Sequence, residues 1–145
     1  RLTMTLPKGN WSIEKNPFRG GATDNPRYFY FVDGKAGLIF SGWFESDRRF
    51  LGVPKLWEEE TRGWKKNGLP PPTNVAFEKI GGWDTVMYEQ SIGKLVSSHL
   101  RAHWVQSGTW IEIHLSTTTD RSSEENRKVL QPLLGGISVS PKAGG

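Results

Sequence analysis

All three histidines of this 145-residue chain, His99, His103 and His114, fall within "SSHLRAHWVQSGTWIEIHLS", residues 97–116. Imidazoles this close could hold a metal, carry out acid–base chemistry, or line one side of a strand pair. The residues between them decide which is geometrically open. Ser107-Gly108 reads as a turn between two strand-like runs. Folded there, the halves pair with Val105 opposite Trp110, His103 opposite Glu112, Arg101 opposite His114, and His99 opposite Ser116. Side chains alternate between the two faces of a strand. One face then carries Leu100, Ala102, Trp104, Ile111, Ile113 and Leu115, all apolar. The other carries His99, Arg101, His103, Glu112, His114 and Ser116, with Val105 and Trp110 near the turn. Two independent alternations agree in one register, and a one-residue slip would break the agreement.

That register constrains the chemistry. His99 and His103, four strand residues apart, are separated by about 13 Å. One zinc ion cannot bridge them, because it needs each ring nitrogen at about 2 Å. His103 and His114 are diagonal neighbours at roughly 7–8 Å. With Glu112 they could hold an adventitious ion, so neither a resident metal nor a cofactor is expected. A His103–Glu112 pair could orient an imidazole for general-base work. A solvated strand face with complementary charges accounts for the same pattern. Ser116 opposite His99 points toward a hydrolase, but no G-x-S-x-G elbow surrounds any serine. G-x-G-x-x-G, Walker A and H-E-x-x-H motifs are absent. No catalytic residue is assigned. The candidate binding residues are Arg101, His103, Trp110, Glu112 and His114, with Trp110 expected to be the most exposed aromatic.

The elements that must position this hairpin are legible in outline. Leu2 to Leu6 reads as a strand, with Trp11 to Glu14 continuing it after a bend. "NPFRGGATDNP", residues 16–26, reads as a loop. Tyr28–Val32 and Ala36–Phe44 read as a hairpin around a two-residue Asp33-Gly34 turn. Both faces of Ala36–Phe44 are largely apolar, which predicts cover on both sides. "VPKLWEEETRGWKKNG" reads as a helix with Pro54 in its first turn, acids before bases, and Asn67-Gly68 at its end. Val75–Ile80 and Trp83–Gln90 read as strands joined at Gly81-Gly82. Ser122 and Glu125 form an S-x-x-E capping box for a second helix, which contains Pro132 and ends at Gly135-Gly136. "ISVS" supplies a last short strand. The fold class is α+β: a central antiparallel sheet of about six strands with two main helices, in one domain spanning residues 1–145.

Composition narrows the function classes. No apolar run approaches the roughly 20 residues of a membrane helix. The absence of cysteine removes disulfides, thiolate nucleophiles and cysteine-zinc sites. The net charge is +4, but the basic residues alternate with acids, as in "RRFLGVPKLWEEETRGWKK". Nucleic-acid binders show a stripe of one sign, so nucleic acid is not the expected partner. Seven tryptophans raise carbohydrate binding, which would need at least two tryptophan rings facing solvent. The chain begins at Arg1 rather than Met, as a mature or a trimmed product would, and any signal peptide removed from it is not visible.

Three stretches resemble the PsbP/Mog1-like superfamily of α/β/α sandwiches: "TLPKGNW" near the start, and "GTWIEIHLSTT" followed by a capped helix and "GGISV" near the end. The chain is also similar in layout to small uncharacterised exported bacterial proteins. The resemblance implies a binding or assembly factor with no shared catalytic residues. We therefore expect a non-enzymatic binding or assembly domain of a bacterial cell envelope, periplasmic or secreted. Its partner would be a protein or a small ligand, held on the sheet face or beside the 54–66 helix. A hydrolase using the polar face of the 94–116 hairpin and a carbohydrate-binding module are the alternatives.

Overall fold

Two strands, Leu95–Gln106 and Thr109–Thr119, turn at Ser107-Gly108 with φ of 51° and 75° and form the centre of the molecule. Their register is the expected one: His103 faces Glu112, Arg101 faces His114, and His99 faces Ser116. The structure is a computed structural model and describes residues 1–14 and 27–143. The loop read at 16–26 lies outside the described residues.

In chain order the elements are β1 (Leu2–Thr5), β2 (Ser12–Ile13), β3 (Tyr28–Asp33), β4 (Leu38–Ser46), α1 (Val53–Lys66), β5 (Thr73–Ile80), β6 (Trp83–Ile92), β7 (Leu95–Gln106), β8 (Thr109–Thr119), α2 (Ser123–Gly135) and β9 (Ser138–Pro141). Seven strands form one sheet in the order β2-β3-β4-β8-β7-β6-β5, and every neighbouring pair is antiparallel. β1 does not join this sheet. It pairs with β9 in a separate two-stranded ribbon. The fold is therefore α+β, with a larger sheet than the six strands expected and two helices.

The helices lie on opposite faces of the sheet. On one face Phe40, Met87, Leu100, Ala102, Ile113 and Leu115 pack beneath Leu130 and Leu134 of α2, with Leu2, Met4 and Val139 of the ribbon against the same cluster. Burying such side chains stabilises by roughly 1.5–3 kcal/mol each. The capping box at Ser122 and Glu125 starts α2, and Pro132 is accommodated without ending it before Gly135. Asn126, fully buried, donates to Ser98 Oγ (3.0 Å) and accepts from Thr119 Oγ1 (2.8 Å), so its polar atoms are satisfied. Arg127 pairs with the buried Glu89 at 2.8 Å and holds α2 to β6.

On the other face α1 sits over β6 through a smaller cluster, with Trp57 and Trp64 packed around Val86 and Tyr88. The Trp64 ring centroid is 5.5 Å from that of Trp57 and 5.3 Å from that of Tyr88. These two tryptophans anchor the helix, as their spacing of about two turns implies.

Two local expectations need correction. The β3–β4 connection is not a two-residue turn at Asp33-Gly34. Asp33 pairs with Leu38, and residues 34–37 form the loop, with positive φ at Gly37. The Asp33 carboxylate accepts from the backbone N–H of Ala36 (3.0 Å) and of Asn10 (3.1 Å), which pins the longer loop. Nor is β4 covered on both sides. Leu38 and Phe40 are buried, whereas Ile39 and Trp43 line an open depression on the α1 side.

Candidate functional site

The polar face of β7 and β8 continues across the sheet in register. Trp43 and Tyr28 lie in the row of Glu112 and His103, and Ser41 and Tyr30 in the row of His114 and Arg101. On the other side, Tyr88 of β6 stands beside His99, and Val86 beside Arg101. α1 roofs the β6 side of this face. The remainder is a depression of about 460 Å³, with Tyr28, Tyr30, Ile39 and Trp43 on one side and Ser97, His99, His114, Ser116 and Thr118 on the other. A smaller cavity of about 240 Å³ lies under α1, and Arg101 and Glu112 line both spaces. A depression of this size lies within the roughly 300–1,000 Å³ of small-molecule sites.

Arg101 is the hub. Its Nε donates to Tyr88 Oη (3.0 Å), its Nη1 to Glu112 Oε1 (3.1 Å) and its Nη2 to Glu60 Oε1 of α1 (2.9 Å). The side chain is 18% exposed. Burial opposes its charge, but Tyr88, Glu60 and Glu112 outweigh burial and raise its pKa. The guanidinium is thus a fixed strut between helix and sheet. Burial, offset in part by the nearby guanidinium, raises the Tyr88 hydroxyl pKa.

His99 stacks on Tyr88, with centroids 4.8 Å apart and planes at 7°. Its Nδ1 is 2.8 Å from His114 Nε2, and its Nε2 is 2.8 Å from Ser97 Oγ. Thr118 Oγ1 donates to Ser97 Oγ at 3.1 Å. The Ser97 oxygen can accept from Thr118 and still either donate to His99 Nε2 or accept from it, so either ring nitrogen of His99 can carry its proton. Burial, reinforced by Arg101, lowers the His99 pKa to about 4, so this imidazole is neutral at pH 7.

The five candidate residues fare differently. Arg101, Glu112 and His114 come together around the depression. His103 faces Glu112 in the ladder but makes no pair with it, because Glu112 is taken by Arg101. Instead His103 Nδ1 accepts from Trp110 Nε1 (3.2 Å), which places its own proton on Nε2. It is 4% exposed, and burial followed by Arg101 lowers its pKa to about 4. Trp110 is not an exposed aromatic: it is 6% exposed beneath Phe50, whose centroid is 5.6 Å away. The Asp47 N–H donates to Gly108 O (3.0 Å), which draws the start of the β4–α1 connection onto the hairpin turn. The polar face as a whole is not the solvated surface that alternating charges implied. His103, Tyr88, Ser97 and Ser116 are all buried.

Several residues of the depression had no separate signal. Tyr28 and Tyr30 enter through β3–β4 and β4–β8 pairing, and Glu60, in the neighbouring cavity, through the landing of α1, which no local spacing encodes; Ser97 and Thr118 simply extend the β7–β8 register. His99 was within reach, since it and His114 are also diagonal neighbours on the ladder. Among the described residues, no three His, Asp or Glu side chains are grouped to hold a metal ion. No described helix is long and apolar enough to cross a membrane.

Fold and face together define an α+β protein whose antiparallel sheet presents, beside α1, a depression with an aromatic and a polar side. No protein-family model matches the chain, and no curated protein does. Among solved structures it is similar to a protein from Bacteroides thetaiotaomicron, with a TM-score of 0.56 and 11% identity over 97% of this chain and 46% of that one. The chain thus spans about half the length of that protein. It is also similar to LpqN, involved in cell envelope biogenesis of Mycobacterium tuberculosis, with a TM-score of 0.50 and 13% identity over 97% of this chain and 85% of that one. At these identities the likeness is one of fold.

Proposed function

We propose that residues 1–145 form a single non-enzymatic binding or assembly domain of a bacterial cell envelope, of the PsbP/Mog1 type and periplasmic or secreted. Its partner, a small ligand or a segment of another protein, occupies the depression beside α1. One observation carries this reading: the walls are held in place by the protein's own hydrogen bonds. Arg101 is locked by three partners, and the imidazole of His99 is held on both nitrogens. Preorganised polar groups beside aromatic walls favour binding because little ordering remains to be done. The likeness to LpqN supports the envelope assignment.

The test is a thermal melt of the wild type and of Trp43→Ala against a metabolite and glycan panel. A ligand held in the depression raises the wild-type melting temperature by several degrees at saturation and leaves Trp43→Ala unmoved. Panel-wide silence, or equal shifts in both proteins, contradicts the reading.

A hydrolase reading draws on the Ser97–His99–His114 chain, whose two 2.8 Å contacts have the order of nucleophile, base and orienting group. Against it, Ser97 sits inside β7, with β6 and β8 on either side. Its neighbouring backbone donors are used in the ladder, leaving none to stabilise an oxyanion. Covalent labelling of Ser97 by a fluorophosphonate would favour the hydrolase over the binding domain.

A further inference from the structure

The depression is divided in a way that matches one class of ligand. Its β3–β4 side is aromatic, with Tyr30 and Trp43. Its β7–β8 side is a chain of hydroxyls and imidazoles, Thr118–Ser97–His99–His114. A saccharide has the same division, with apolar C–H ring faces and a rim of hydroxyls. We propose that the depression binds a neutral saccharide, its ring faces against Tyr30 and Trp43 and its hydroxyls on the Ser97–His99–His114 chain. This rests on the depression being the binding site.

Three arguments select this class. First, every member of the polar chain can both donate and accept. The proton order can therefore reverse as a unit, and the chain can meet a ligand hydroxyl in either role. Second, among the described residues Arg101 is the one lysine or arginine lining the depression, and Glu60 and Glu112 already occupy its guanidinium. Two carboxylates around one guanidinium leave that end net negative. Third, a purely apolar ligand would strip water from the hydroxyls and imidazoles without replacing their hydrogen bonds. Sugar recognition here does not need two solvent-facing tryptophans. None of the seven is freely exposed, and Tyr30 supplies the second ring.

The test titrates the full chain with maltotriose, cellotriose and triacetylchitotriose, followed by tryptophan fluorescence and calorimetry. The deacetylated chitotriose triamine and trigalacturonate are run in parallel. At least one neutral trimer binds at millimolar concentration or below, and about tenfold more tightly than either charged trimer. Tyr30→Ala and Trp43→Ala each weaken it by about tenfold, the loss of one ring contact, with melting temperatures close to wild type. The inference is overturned if the triamine or the galacturonate binds best, or if no neutral trimer binds. Should another ligand class still shift the melt of the wild type but not of Trp43→Ala, the saccharide inference falls and the binding depression stands. Should nothing separate those two proteins, both fall.

Discussion

Arg101 shows how much one side chain can organise. It closes three hydrogen bonds to groups on β6, β8 and α1, so its removal leaves a buried hydroxyl and two carboxylates without their donor. Arg101→Ala is expected to lower stability by about 2–3 kcal/mol, read as a drop in the urea midpoint. A change within about 0.5 kcal/mol would show the strut to be ornamental. The histidines make the second residue-scale prediction. His99 and His103 have folded-state pKa values lowered to about 4, below the unfolded value of about 6.5. Between those values the unfolded chain binds more protons, so their contribution is complete above about pH 6.5 and drains away as the pH falls toward 4. For His103 this amounts to about 3 kcal/mol, at about 1.4 kcal/mol per pH unit. Urea midpoints should therefore fall from about pH 6.5 to 4.5, and the slope should flatten in a His99→Gln/His103→Gln variant. An unchanged slope in that variant would remove these two residues as its source.

At the scale of elements, the strand crossing from β4 to β8 has one tight point. A side chain at Gly42 would run into the Phe29 ring and the Glu112 carbonyl oxygen. Backbone cannot yield as a flexible side chain can, so Gly42→Ala should cost about 1–3 kcal/mol, visible as a lowered melting temperature. Wild-type stability in that variant would mean the two strands sit farther apart. Gly42 also marks where sequence reading stopped. The β7–β8 ladder was legible because both partners are contiguous and two alternations cross-check each other. α1 and the α2 capping box were legible because caps and periodicity are local. The pairing of β4 with β8 and of β1 with β9 spans long stretches of chain, and nothing in either partner names the other. That is why Trp43, Tyr28 and Tyr30 went unplaced, and why Trp110 seemed free although Phe50 covers it. The His103–Glu112 pair failed for another reason: register was right, but Arg101 competes for the same carboxylate and carries full charge.

Across the whole molecule, the two helical layers are bound unequally. α2 buries Asn126, Leu130 and Leu134 in the main core, whereas Val53 is the buried residue of α1. α1 is held by Trp57, Trp64 and the Glu60–Arg101 pair. Hydrogen exchange should therefore show amides of α1 opening at lower free energy than those of β6–β8 and α2. Equal protection of both helices would contradict the layered picture. All of this depends on the histidine-bearing face being a prearranged, largely desolvated surface. The direct test is a long-range proton–nitrogen spectrum of the imidazoles from pH 7.5 to 4.5. We expect His99 and His103 to stay neutral, with His103 protonated on Nε2, until the pH approaches 4. If both rings take up protons near pH 6.5 with freely exchanging tautomers, that face is bathed in water and no built site exists there.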